Sequence, residues 1–281
     1  MQVGISTSCF FNQRNTEDAL EPIARMGSPR FEVFLNGFLE YEKPFCQELV
    51  RRKNALGLDC TAVHTLGVQF EPQLFFLHKR QREGAELIFQ RALDIAAELG
   101  ADRYVMHGPL RVNGKRTQWE PRETAERFAH LCRMADARGV RLTLENVHWC
   151  LYHEPDYARR MEPYLDGVSL GYTLDTKQAA QSGYDMMEYL TDMGDRLANV
   201  HLCDVAPREN GQGLRTCLPG RGMLDFHALA RALQRQHYKG PVTLEVYPGD
   251  YQSEQELGRI YQSLCQLFAP LGEQEETNEA L

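Results

Sequence analysis

The stretch RLTLENVH, residues 141–148, carries a strand and a chemical group in eight letters. Val140 to Leu144 is an almost unbroken run of branched and apolar residues, and it stops on a carboxylate, Glu145, followed by Asn146. A run this apolar suits a strand buried on both faces, as in a parallel sheet covered by helices. A charge at its last residue then sits where the sheet opens, in a cleft or against a cation. The same arrangement recurs downstream: SLGYTLDT ends on Asp175, ANVHLCD carries His201 and VTLEVY carries Glu245. One such residue is explained equally well as a rim polar group, whereas four on successive strand ends are poorly explained by core packing.

Outward from this stretch the chain alternates short apolar strands with amphipathic helices. Strands are expected at 2–6, 31–35, 58–64, 102–107, 140–145, 168–175, 197–203 and 242–247. Between and after them the 3.6-residue pattern predicts helices at 17–26, 44–56, 77–99, 121–138, 155–164, 177–182 with 184–193, 225–236 and 254–268. Gly57, Gly100 and Gly139 stand where helix C-termini place glycine, and Pro121 where a helix starts. Residues 204–222 read as a long loop. Eight strands each followed by a helix is the count of a (β/α)8 barrel, an α/β fold in one domain over residues 1–271. The acidic, polar segment 272–281 is expected to be disordered.

The chain has 281 residues, 43% hydrophobic and 25% charged, ample for one large core. A net charge of −8 argues against a nucleic-acid partner, because phosphate contact leans on clustered Lys and Arg. The start MQVGISTSCF shows no signal-peptide pattern, and no stretch approaches the roughly 18 apolar residues of a membrane span. Eight cysteines are scattered without a CxxC pair and read as reduced thiols. A cytoplasmic protein with no membrane partner is the expectation.

In such barrels the site lies at the C-terminal ends of the strands. Spacings of 30, 26 and 44 residues separate Glu145, Asp175, His201 and Glu245, each room for a helix and a return strand. Three carboxylates converging without a cation would repel and raise at least one pKa. One divalent metal ion resolves this, with Glu145, Asp175, His201 and Glu245 as ligands. An oxygen-rich set with one imidazole favours Mn²⁺ or Mg²⁺, and Co²⁺ or Zn²⁺ are compatible.

With these residues the chain resembles the xylose-isomerase-like TIM barrels, or sugar phosphate isomerases/epimerases, a superfamily that includes ketose 3-epimerases, inosose dehydratase-like proteins and the apurinic-site endonuclease. LTLEN (142–146), TLDT (173–176), VHLCD (200–204), PGRG (219–222) followed by Asp225, and TLEV (243–246) carry the likeness, which runs over nearly the whole chain. It implies the single-metal site of the epimerase-like members, with Glu145 and Glu245 also facing opposite sides of the substrate carbon. The metal would polarise a carbonyl and acidify the neighbouring C–H. One Glu takes the proton, an enediolate forms, and the other Glu returns a proton to the opposite face or the adjacent carbon. The first outcome is epimerisation of a small sugar or keto-sugar; the second is aldose–ketose isomerisation. Elimination of a β-substituent from the same intermediate, as in a lyase or dehydratase acting on a keto-sugar or inosose, stays open. The resemblance also implies a homo-oligomer, dimer or tetramer.

Two departures stand out. The family often places His three residues beyond the strand-six Asp, where this chain has Gln178, and the endonuclease's Asp-x-His pair is replaced by Leu214, Arg215 and Thr216. A three-zinc phosphodiester hydrolase is therefore incomplete, while a one-metal sugar site survives, with Gln178 available to a hydroxyl. Arg215 resembles the arginine that contacts substrate oxygens in the epimerases. His64 and His107 end strands three and four and are candidate substrate contacts. Phe10 and Phe11 after strand one, and Trp119 after strand four, are candidates for an apolar wall over a sugar face. His130, His148, His153, His227 and His237 read as packing or surface residues, and Lys177 as a supporting or solvated charge. PGRG is too short for a phosphate cradle. A barrel without catalysis, kept for binding, is the non-enzymatic alternative.

Overall fold

A computed structural model describes residues 1–111 and 120–269. Eight parallel strands close into a barrel: β1 (Val3–Ser6), β2 (Arg30–Leu35), β3 (Asp59–Thr65), β4 (Arg103–Met106), β5 (Arg141–Glu145), β6 (Gly171–Asp175), β7 (Leu197–Leu202) and β10 (Val242–Leu244), which pairs back with β1. Around them lie α1 (Leu20–Arg25), α2 (Lys43–Leu56), α3 (Lys79–Leu99), α4 (Pro121–Asp136), α5 (Tyr157–Met161), α6 (Thr176–Ser182), α7 (Met186–Met193), α8 (Phe226–Arg235) and α9 (Glu254–Leu267). The expected single (β/α)8 barrel is therefore what forms. The segment 272–281 lies outside the described residues. No helix among those described is long and apolar enough to cross a membrane.

The strands are apolar because both of their faces are covered. β5, β6 and β7 bury nearly every residue, and Leu142, Leu144, Tyr172, Leu174, Val200 and Leu202 join the hydrophobic core. Helix ends follow local chemistry: α3 stops where Gly100 takes φ 76°, the left-handed region that glycine enters at least cost. The capping box of α7 is closed by Asp185 and Glu188.

Two side chains extend the strand ladders to the barrel mouth. The Asn146 amide donates to the Asp175 carbonyl (3.0 Å) and accepts from the Asp175 N–H (2.7 Å), tying β5 to β6 beyond their last paired residues. Thr176 Oγ1 donates to the Cys203 carbonyl (2.7 Å) and accepts from the Cys203 N–H (3.0 Å), doing the same for β6 and β7. The N in LTLEN and the final T in TLDT thus fix backbone at the site, which explains their place beside charged strand ends.

The structure departs from the sequence reading at residues 204–222. There β8 (Asp204–Pro207) and β9 (Leu214–Cys217) form an antiparallel ribbon in place of an irregular loop. The alternation that would mark these strands is diluted by Pro207 and by the Gly211 and Gly213 turn. Behind the ribbon, PGRG wraps around the Asp204 carboxylate, whose two oxygens accept from the N–H groups of Val205, Gly220, Gly222 and Leu224 at 2.8–3.1 Å. A Cβ on Gly222 would fall 2.2 Å from the Val205 carbonyl oxygen, so only glycine fits this approach. These N–H groups are already committed to Asp204 and are not free to cradle a phosphate.

Replacing Asp204 with Ala leaves four N–H groups without their acceptor. Loss of charge-assisted bonds of this kind is expected to cost on the order of 3 kcal/mol, read as a lower midpoint in urea denaturation. A change below about 0.5 kcal/mol would contradict this account of the PGRG turn.

Candidate metal centre

The register brings the four strand-end groups together. Asp175 pairs with His201 across β6 and β7, and Glu245 follows β10, the other neighbour of β7. Glu145 ends β5 on the far side of β6. Ligand-type atoms of Glu145, Asp175, His201 and Glu245 all lie within 4.8 Å of one another, and the four residues are at most 1% exposed. His201 Nδ1 stands 3.5 Å from Glu245 Oε2 and 4.0 Å from Asp175 Oδ2. Among the described residues, Glu145 Oε2, Glu245 Oε1 and His201 Nδ1 are buried without a hydrogen-bond partner. Buried orphan donors and acceptors of this kind are expensive unless something else satisfies them. A divalent cation does so, and the residues present fit one.

Asp175 and His201 are held from behind. Asp175 is the last residue of β6 and also the N-cap of α6. Its Oδ1 accepts from the Gln178 N–H (2.9 Å), which leaves Oδ2 for the centre. His201 Nε2 lies 2.8 Å from Glu32 Oε2 and 2.9 Å from the Asn199 amide. A histidine held by a carboxylate on one nitrogen presents the other nitrogen in a fixed orientation to a metal. Glu32 is fully buried in β2. The sequence reading passed over it, although RFEVFL shows the signal: one carboxylate among the buried apolar residues Phe31, Val33, Phe34 and Leu35.

A second cluster shares Glu145. His64 Nε2 and His107 Nε2 each lie 3.5 Å from Glu145 Oε2, and His64 Nε2 is 3.9 Å from Glu245 Oε1. His64 Nδ1 donates to the Val105 carbonyl (3.2 Å), which leaves Nε2 with its lone pair toward the two glutamates. Behind His107 is Glu71, also missed from the sequence. It is fully buried and accepts from the His107 N–H (2.9 Å), Tyr104 hydroxyl (2.9 Å) and Thr65 hydroxyl (3.1 Å). Its place in a short 3-10 helix after β3 gives no periodic signal.

The other expected residues divide. Gln178 is close by, but its Oε1 accepts from the His148 N–H (3.2 Å) and Nδ1 (2.6 Å), so only its NH₂ remains for a hydroxyl. His148 is thus a partner of the site and not an unrelated histidine. Arg215 stands exposed on β9, at a rim fixed by the Thr216 to Asp250 hydrogen bond (2.7 Å), outside the buried cluster. Phe10 is 1% exposed and packs in the core, because the 3-10 turn after β1 aims it inward. Phe11 instead meets Phe34 edge-on at 6.0 Å, and Phe34 meets the His64 ring at 5.1 Å. Trp119 lies outside the described residues, whereas Trp149 lies 5.3 Å from His107. Lys177 is not solvated. Its ammonium is buried, 2.5 Å from both Asp175 Oδ2 and Glu245 Oε2.

Crowded charge sets the protonation pattern. Burial, then the Asp175 charge, pushes Glu145 well above the usual carboxylate range. Burial alone would raise Glu245 too, but Lys177 and His201 outweigh it and hold that carboxylate at about 2. Burial opposes charge on His201, yet Glu32 and Glu245 lift it to about 10. His64 and His107 are lowered well below 6.5 by burial first, and stay neutral.

The closed parallel barrel, with buried carboxylates and imidazoles gathered at the C-terminal ends of its strands, defines the class as a (β/α)8 barrel carrying a cluster that could hold a metal ion at that face. Residues 20–263 match the family described as xylose isomerase-like TIM barrel, and the chain belongs to it. It is 26% identical to an uncharacterized protein of Mycobacterium leprae over 91% of this chain and 92% of that one. It is 28% identical to a ketose 3-epimerase of Arthrobacter globiformis (73% of this chain, 70% of the epimerase). A 3-dehydroshikimate dehydratase of Pseudomonas aeruginosa is 28% identical over 82% of this chain, which spans 36% of that larger enzyme. Among solved structures, D-psicose 3-epimerase of Clostridium cellulolyticum superposes with a TM-score of 0.76 at 17% identity, covering 95% of this chain and 98% of its own. A 3-keto-D-glucoside 4-epimerase of E. coli gives 0.70 at 22%, again covering 95% and 98%.

His201, protonated up to about 10 in the metal-free protein, must release its proton before Nδ1 can bind a cation. Mn²⁺ binding at pH 7.5 is expected to release about one proton or more, read by calorimetry in buffers of different ionisation heat. Affinity should fall as pH drops; uptake with no proton release would contradict this protonation state. Glu32→Gln is expected to weaken Mn²⁺ binding roughly 10- to 100-fold in equilibrium dialysis, through loss of the histidine's partner.

Proposed function

We propose that the protein is a divalent-metal-dependent isomerase or epimerase of a small sugar or keto-sugar derivative. The observation that carries this reading is a pair of buried glutamates, each with one oxygen free of hydrogen bonds, Glu145 Oε2 and Glu245 Oε1, both within 3.9 Å of the same imidazole nitrogen. Glu145, Asp175, His201 and Glu245 would hold the ion, Mn²⁺ or Mg²⁺ by donor type and Co²⁺ or Zn²⁺ within range of the set. When bound, the ion supplies Lewis acidity that polarises a substrate carbonyl and acidifies the adjacent C–H.

The residues themselves move the proton. Glu145 and Glu245, whose free oxygens flank the same His64 nitrogen, are suited one to take the proton from carbon and the other to give one back. Neutral His64, with its Nε2 lone pair turned inward, accepts from a substrate hydroxyl, and the NH₂ of Gln178 donates to another. Phe11, Phe34 and Trp149 offer apolar surface around these polar groups. Kinship with an epimerase across 73% of the chain supports the substrate class.

The relative named as a dehydratase favours a second reading, in which the same proton abstraction is followed by loss of a β-substituent. The two differ in product mass. Incubation of the Mn²⁺-loaded protein with ketoses and 3-keto-sugars in D₂O is expected to place deuterium at the carbon next to the carbonyl. Glu145→Gln or Glu245→Gln should slow this exchange by a factor on the order of 10³ or more. A product lighter by one water would select the lyase reading, and exchange undiminished in both variants would end the two-glutamate mechanism.

A further inference from the structure

Lys177 breaks two rules at once. It lies in the first turn of α6, where the helix dipole favours negative charge, and its ammonium is buried. Both costs are offset by one arrangement: Nζ sits 2.5 Å from Asp175 Oδ2 and 2.5 Å from Glu245 Oε2, 5.5 Å from the centre of the Tyr247 ring. These are the same two oxygens that stand 4.0 and 3.5 Å from His201 Nδ1. The ammonium therefore holds the oxygens a divalent ion needs, and a second cation close to the first would be repelled.

We propose that Lys177 is a built-in, displaceable cation of this centre: its ammonium holds Asp175 Oδ2 and Glu245 Oε2 in the metal-free protein, and a divalent ion gains them by pushing it aside. This rests on the one-metal reading above and adds to it a device of this chain. The four-methylene stem lets the charge move without moving the helix, and the face of the Tyr247 ring provides an adjacent place for it. In the metal-free protein the lysine keeps buried carboxylates from repelling one another; towards a metal it is a competitor. Loading is thereby set against a fixed internal rival, so that weakly available or poorly charged cations are excluded.

The test compares Mn²⁺ affinity by calorimetry and thermal midpoint for wild type, Lys177→Met and Lys177→Gln, each stripped with chelator and then reloaded. Removal of the competitor is expected to tighten Mn²⁺ binding about tenfold or more. It should also lower the metal-free midpoint, and enlarge the rise in midpoint that Mn²⁺ produces. Folding of either variant only when Mn²⁺ is supplied, or Mn²⁺ binding by the variants alone, supports the proposal equally. Affinities equal to or weaker than wild type overturn it while leaving the one-metal reading standing. Absence of Mn²⁺ binding in all three proteins overturns both. Without any substitution, ¹⁵N spectra of the wild type should show a slowly exchanging lysine ammonium that shifts or disappears on saturation with Zn²⁺; a signal unchanged at saturation also overturns the proposal.

Discussion

Everything at the barrel mouth depends on the concentration of buried negative charge. Glu32, Glu145, Asp175 and Glu245 are each at most 1% exposed and gather around one imidazole. Carboxylates taken out of water lose solvation worth several kcal/mol each, and close approach adds repulsion. Positive charge and protonation relieve it: the Lys177 ammonium and protonated His201 face the cluster, and Glu145 is pushed toward its neutral form. The barrel can carry this cluster because its strands are fixed elsewhere, by apolar packing on both faces and by Asn146 and Thr176, which clamp neighbouring strand ends.

Much of this was legible in the sequence because burial on both faces leaves a strong mark. Where a strand such as VRLTLE must be apolar throughout, a single charge at its end is conspicuous, and Glu145, Asp175, His201 and Glu245 all converge. The same signal was present at Glu32 in RFEVFL, but there the charge falls in mid-strand and is easily taken for an isolated exception. Glu71 lies in a short 3-10 segment with no period to violate. The β8–β9 ribbon was hidden by prolines and glycines, which read as loop whether or not backbone pairing follows. Residues placed by a turn were the least readable: Phe10 and Phe11 are neighbours in sequence, yet one lies in the core and the other packs edge-on against Phe34, beside the His64 ring.

Lys177 shows why residue type alone misleads. Next to Asp175 in sequence, a lysine is usually a surface charge reaching into water. Here α6 begins directly after β6 with no intervening loop, so the second residue of the helix is held beside Asp175 and within reach of Glu245. Position in the fold, and not the chemistry of the side chain, turned an ordinary lysine into part of the centre. His148 entered the site in a similar way, through its hydrogen bond to Gln178 in the same helix as Lys177.

The N-cap bond of Asp175 has a consequence for denticity. With Oδ1 accepting from the N–H of Gln178, this carboxylate is turned to offer a cation chiefly its other oxygen, Oδ2. That oxygen is aimed by the helix as His201 is aimed by Glu32. A hard divalent ion that seeks six or more oxygen and nitrogen donors then finds part of its coordination sphere left unfilled by this residue. On the proposed sugar reading, the start of a helix thereby reserves room for substrate oxygens, and stinginess in one ligand becomes capacity for substrate.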